Sequence, residues 1–198
     1  MSHQFWRKRL ILIVDDSAVV RWQLTRQLEA AGLGTVHAPE QLWEARELLG
    51  FGDGETLVEV LLLDLVMPQT DGLAFLQELR GFPHLSDLPV IIVTSLEEEN
   101  ELERVFAAGA NDYLTKPSLP VVLAARVRNL QRLARATNER KARERELLRL
   151  TRDLQQARDE LEHLSMTDSL TGVANRRSFE VLLRRHSAPL AAQAVHSA

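Results

Sequence analysis

Three acidic residues stand where short apolar runs end. Asp15 and Asp16 follow the run 10–14, and Asp64 lies near the end of the run 57–65. If these runs are strands of one open parallel sheet, the residues at their carboxyl ends face a common crevice. Three carboxylates gathered there repel one another, and a hard divalent cation with oxygen ligands relieves the repulsion; Mg2+ is the expected ion. A single Asp at a strand end is ordinarily a turn or a helix cap. Three at one edge favour the cation. Thr94 then ends the run 90–94 with a hydroxyl donor, and Lys116 follows the run 112–115 with a compact positive charge. A phosphoryl group accepted by Asp64 would find a metal, a hydroxyl and an ammonium for its oxygens.

The elements that must position these residues can be read from the pattern between residues 10 and 115. Apolar runs at 10–14, 35–37, 57–65, 90–94 and 112–115 read as strands. Helical patterns lie between them, at 17–31 with Ser17 as N-cap, at 40–49, at 72–79 after Asp71 as N-cap, and at 98–108. Near-continuous apolar strands alternating with helices predict an α/β fold, a parallel sheet covered on both faces. On the first helix Val20, Leu24, Leu28 and Ala31 form the expected core stripe. Val19 and Trp22 are left on the flank, beside the acidic edge, as an expected docking surface for a sensor histidine kinase or phosphotransfer protein.

Taken in order, the motifs resemble those of a known family. The segments Val14-Asp15-Asp16-Ser17, Asp64-Leu65-Val66-Met67-Pro68-Gln69-Thr70-Asp71-Gly72, Thr94-Ser95 and Asp112-Tyr113-Leu114-Thr115-Lys116-Pro117 resemble the receiver domain of bacterial two-component response regulators. The resemblance runs over about residues 9–130. It implies a doubly wound, flavodoxin-like five-stranded sheet of order 2-1-3-4-5. It further implies that Asp64 is the phosphoacceptor, and that Asp15, Asp16, Asp64 and the backbone carbonyl of Val66 hold Mg2+. Thr94 and Lys116 would contact the phosphate, Tyr113 would be the aromatic switch, and Lys116-Pro117 would be a cis peptide. Val66 and Leu96 are apolar where some family members carry groups able to position a water, so a long-lived phosphoaspartate is expected.

Beyond Ser118 the pattern changes. Neither glycine nor proline occurs between Pro120 and Gly172, which permits one long helix. Leu147, Leu150, Leu154, Ala157, Leu161 and Leu164 keep the 3-4 spacing of a coiled-coil seam. Leu123, Val127, Leu130, Ala134 and Thr137 keep another phase, so a shift of seam across residues 140–146 is expected. The expectation is a stalk over 131–166, continuous with the fifth helix and joining two copies in parallel. The contact would extend to the fourth-helix and fifth-helix face, where residues 97–103 would meet Arg126 and Arg128 of a second copy. The stretch Asp168-Ser169-Leu170-Thr171-Gly172-Val173-Ala174-Asn175-Arg176-Arg177 resembles the opening of the diguanylate cyclase (GGDEF) domain. Residues 167–185 are therefore expected to begin such a domain without its catalytic half, and 186–198 to be disordered. The order of segments resembles Wsp-type response regulators, which implies control of cyclic di-GMP synthesis; a stand-alone dimeric receiver or adaptor is the alternative. No enzymatic activity is expected of the chain as it stands.

Composition limits the remaining classes. The 198 residues are 45% apolar and 26% charged, without cysteine, which excludes thiol catalysis, disulfides and thiolate metal sites. The net charge of -4 is divided: residues 1–118 carry 9 Lys+Arg against 19 Asp+Glu, and 119–198 carry 15 against 9. The basic part superficially resembles a basic zipper, but Glu139, Glu144 and Glu146 interrupt it, so nucleic acid is not an expected partner. A dehalogenase-like phosphohydrolase would require a D-x-D arrangement, which neither Asp15 nor Asp64 heads. No apolar run approaches the roughly 20 residues of a membrane span, so neither a membrane partner nor a location outside the cytoplasm is expected.

Overall fold

The structure is a computed structural model that describes residues 10–52, 54, 56–68, 70–95 and 99–166, without the side chains of 99 and 162–166. Leu96, the acidic residues 97 and 98, the side chain of Leu164, the stretch 167–185 and the tail 186–198 therefore lie outside the described residues. The chain divides into two units, Met1–Glu139 and Arg140–Ala198.

In the first unit, β1 (Leu10–Val14), β2 (Thr35–His37), β3 (Val58–Leu63), β6 (Val90–Thr94) and β7 (Asp112–Thr115) form one parallel sheet in the order β2-β1-β3-β6-β7. Counting sheet strands alone, this is the doubly wound order 2-1-3-4-5. A two-residue antiparallel hairpin, β4 (Val66–Met67) with β5 (Thr70–Asp71), was not legible in the sequence. Such short strands leave no periodic signal.

Side-chain alternation divides the core. Leu12, Val14, Leu61, Leu63, Val90 and Ile92 pack with α2 (Leu42–Leu49), α3 (Gly72–Arg80) and Val105 of α4 (Glu99–Ala107). Ile11, Ile13, Val60, Leu62, Ile91 and Val93 pack with α1 (Ala18–Ala30) and the start of α5 (Pro120–Met166). Ser17 caps α1 and Asp71 caps α3 by accepting backbone N–H bonds from Val20 and Leu73, as the sequence predicts.

One irregularity in β3 organises the far end of the sheet. Leu10 pairs with Val58 but Ile11 with Val60, so Glu59 is an extra residue in the ladder. Val58 and Val60 consequently fall on opposite faces although they are two apart. The bulge leaves Glu59 buried, accepting hydrogen bonds from Gln131 Nε2 (3.0 Å) and Arg135 Nε (2.7 Å) of α5. The Glu59 bond first, and its charge second, hold the Arg135 guanidinium above the usual arginine value. The two α5 residues are one turn apart, so the carboxylate ties α5 to the strand that ends at Asp64.

The α5 apolar residues correct one expectation. Leu123, Val127, Leu130 and Ala134 are buried, the first three within the core on the α1 side of the sheet. They are this domain's packing stripe and not an alternative seam. A 3-4 spacing cannot tell a helix's own sheet from a partner helix. A second correction concerns Arg126, whose guanidinium pairs with Asp112 of the same chain. In the second unit every residue from 142 to 161 is exposed, including Leu147 (64%), Leu150 (52%), Leu154 (72%), Ala157 and Leu161 (66%).

Candidate functional site

The carboxyl ends of β1, β3 and β7 bring the expected residues together. One carboxylate oxygen each from Asp15, Asp16 and Asp64 lies within 4.8 Å of the others. Asp15 and Asp64 are buried and Asp16 is exposed, so the cluster has a dry floor and an open rim. Lys116 Nζ reaches in from the end of β7 and donates to Asp15 Oδ2 and Asp64 Oδ2, at 2.6 Å each. The remaining oxygens of the buried pair accept backbone N–H bonds, from Ser17 (2.9 Å) to Asp15 Oδ1 and from Val66 (3.2 Å) to Asp64 Oδ1. These bonds fix the rotamers of both carboxylates and partly balance their charge.

The other expected residues border this cluster. Thr94 is fully buried at the end of β6, and its carbonyl accepts the Lys116 backbone N–H at 2.9 Å. Lys116-Pro117 is a cis peptide, as the motif implies. Tyr113 is half-buried and packs against the core on the α2–α4 side. Val66 opens the β4–β5 hairpin two residues after Asp64 and is exposed. Val19 and Trp22 are exposed on α1, 72% and 67%, as their spacing predicts. The acidic edge opens into a cavity of about 340 Å3 bordered by Pro39, Gln41, Leu42 and Pro68.

Two contributors escaped sequence reasoning. Arg21 reads as a solvated helix residue, yet it is buried and its Nη1 donates to the carbonyls of Asp15 (2.9 Å) and Asp16 (3.0 Å). Gly72 reads as a helix start, yet a Cβ there would lie 2.1 Å from the Asp64 carbonyl oxygen and 2.7 Å from Leu65 Cα. Its N–H donates to the Leu65 carbonyl, so α3 begins directly against the backbone that carries Asp64. Gly72 closes the motif that begins at Asp64, which marked its place but not this close approach; nothing in the sequence marked Arg21.

The donor set fits a hard divalent cation, because carboxylate oxygens of three residues converge within coordinating reach of one another. A five-stranded doubly wound sheet with an acidic cluster and a lysine at its carboxyl edge defines a receiver-type phosphosignalling domain. The chain belongs to the response regulator receiver domain family of two-component systems, whose family model matches residues 11–128.

Its relatives narrow the setting. Over 124 residues the chain is 32% identical to the phosphate regulon transcriptional regulatory protein PhoB of Escherichia coli, covering 63% of this chain and 52% of that protein. The chain thus spans about half the length of the curated relatives it matches. A solved signal receiver domain of a signal transduction histidine kinase from Syntrophus aciditrophicus is 34% identical, with a TM-score of 0.54 over 62% of this chain and 89% of that one. A CheY-like receiver domain protein from Methanospirillum hungatei shares the fold, with a TM-score of 0.57 over 66% of this chain and 98% of that one at 21% identity. Among the described residues no helix is long and apolar enough to cross a membrane.

Proposed function

We propose that this chain accepts a phosphoryl group on Asp64 and transmits its presence to the helix beyond the receiver. The supporting observation is the convergence of Asp15, Asp16 and Asp64 with Lys116 Nζ 2.6 Å from two of them. In the reaction an Asp64 carboxylate oxygen forms a bond to phosphorus as the bond from phosphorus to the donor, a phosphohistidine nitrogen, breaks. That nitrogen keeps the bonding electron pair and takes up a proton. Mg2+, held by Asp15, Asp16, Asp64 and the Val66 carbonyl, would shield the charge on the phosphoryl oxygens. Lys116 would exchange its ion pair with Asp64 Oδ2 for a phosphoryl oxygen, and the Thr94 hydroxyl would take another.

Val19 and Trp22 form the surface that a sensor histidine kinase or phosphotransfer protein would meet. The output we assign to a homodimer, formed along the α4–α5 face and through a coiled coil seamed by Leu147, Leu150, Leu154, Ala157, Leu161 and Leu164. The 131–166 stalk resembles a connector, and the 167–185 motif supports control of cyclic di-GMP synthesis as the output of a longer architecture. Without such a domain the chain would serve as a dimeric adaptor.

Incubation with acetyl phosphate and Mg2+ tests the acceptor. Intact mass should show one phosphoryl adduct on the wild type and none on Asp64→Asn; equal labelling of the two would refute the assignment. Transfer from a histidine-phosphorylated donor, measured with Trp22→Ala at unchanged thermal midpoint, should be slower if the α1 surface docks the donor.

A further inference from the structure

Two consecutive residues of an extended strand point to opposite faces of a sheet. Asp15 and Asp16 are consecutive, yet oxygens of both join Asp64 within 4.8 Å. The chain must therefore turn at this pair and be held in the turn. Ser17 N–H bonded to Asp15 Oδ1 supplies one constraint. Arg21 supplies another from behind: one guanidinium nitrogen donates to both carbonyls, Asp15 at 2.9 Å and Asp16 at 3.0 Å. Its backbone N–H is fixed in the first turn of α1 by the Ser17 carbonyl, 2.9 Å away. Side chains on a helix lean toward its N-terminus, so this position aims the guanidinium at residues 15 and 16. Arg21 is only 8% exposed, which holds those bonds away from competing water.

We propose that Arg21 is a positioning residue for the cation site: it grips the carbonyls of Asp15 and Asp16 so that both carboxylates face Asp64. This rests on reading the acidic cluster as the Mg2+ site. It assigns Arg21 a role opposite to that of its charge alone. A buried cation beside the cluster repels a divalent ion, so a purely electrostatic Arg21 would weaken Mg2+ binding, and its removal would tighten it. A positioning Arg21 strengthens binding, and its removal loosens it.

The sign of the effect is read by calorimetric titration of the whole chain with Mg2+ alone. Arg21→Met keeps most of the buried stem and removes the donors; Arg21→Lys keeps the charge on a shorter side chain whose single nitrogen falls short of the position of Nη1. Outer-shell partners of metal ligands typically contribute 10–100-fold in affinity. Arg21→Met should therefore raise the Mg2+ dissociation constant by about 10–100-fold, Arg21→Lys by less, and Arg26→Met, on the exposed face of the same helix, not at all. Equal or tighter binding by folded Arg21→Met overturns the proposal. If that variant does not fold, wild-type affinity in Arg21→Lys overturns it. A wild type that binds no Mg2+, or Asp15→Asn that binds it normally, would instead refute the cation-site reading on which the proposal rests.

Discussion

Gly72 illustrates how little room the site leaves at the level of single residues. Its missing side chain lets α3 start in contact with the backbone of Asp64 and Leu65, where a methyl group would stand 2.1 Å from the Asp64 carbonyl oxygen. The obstacle is backbone and cannot rotate away. Gly72→Ala should cost about 1–3 kcal/mol, the range of overpacked cores, and should slow phosphoryl acceptance because the clash displaces Asp64 itself. Gly52→Ala is the control, since a Cβ there meets nothing within 4 Å. The check is thermal melting with acetyl phosphate labelling; a Gly72→Ala protein that melts and labels like the wild type would contradict the geometry. The contrast with the carboxylates shows what is legible in a sequence. Asp15, Asp16, Asp64, Thr94 and Lys116 could be found because each ends an apolar run, and the sheet geometry sends run ends to one edge. Arg21 and Gly72 act through the backbone of other residues, and a contact to a distant carbonyl leaves no pattern.

At the level of elements, α5 carries two stripes with different tasks. Leu123, Val127 and Leu130 bury against the domain's own sheet, and Glu59 holds Gln131 and Arg135 at the end of that contact. The bulge that turns Glu59 toward α5 also could not be read from the apolar pattern of β3, where a charged residue merely interrupts the run. The second stripe, from Leu147 to Leu161, is exposed, and its flanking charges bear on how a second copy would lie. With Leu147, Leu154 and Leu161 at a positions, the g positions are Glu146, Asp153 and Glu160, all acidic. An antiparallel pair sets g against g and would oppose these carboxylates; a parallel pair sets g against e, and Asp153 then faces Arg158. The proposed coiled coil should therefore be parallel and in register. The chain has no cysteine, so single substitutions report cleanly. Leu150→Cys or Ala157→Cys should form a disulfide-linked dimer under mild oxidation, whereas Arg152→Cys on the outer face should not. Absence of crosslinks at both seam positions would rule out this register.

Over the whole molecule, the receiver and the exposed leucines pose a question of coupling. A helix in a protein draws most of its stability from packing an apolar face, and the leucines of residues 147–161 are 52–72% exposed in the single chain. These leucines and the acidic edge belong to different units of the chain, so association and phosphoryl acceptance should be separable by mutation. Leu150→Glu with Leu154→Glu should abolish the dimer seen by light scattering and leave labelling of Asp64 intact. Asp64→Asn should do the reverse. Coupling between the two would travel along β3, which leads into Asp64 at one end and carries Glu59 near the other, five residues away and bonded to α5. Beryllofluoride with Mg2+ should then change the mass or elution of the wild type, have no effect on Asp64→Asn, and have a reduced effect on Glu59→Ala, which still has its acceptor. An undiminished response in Glu59→Ala would show that the signal reaches α5 by another route, such as the α4 face beside Tyr113. No response in the wild type, at full Asp64 labelling, would mean that the receiver switches without moving its stalk.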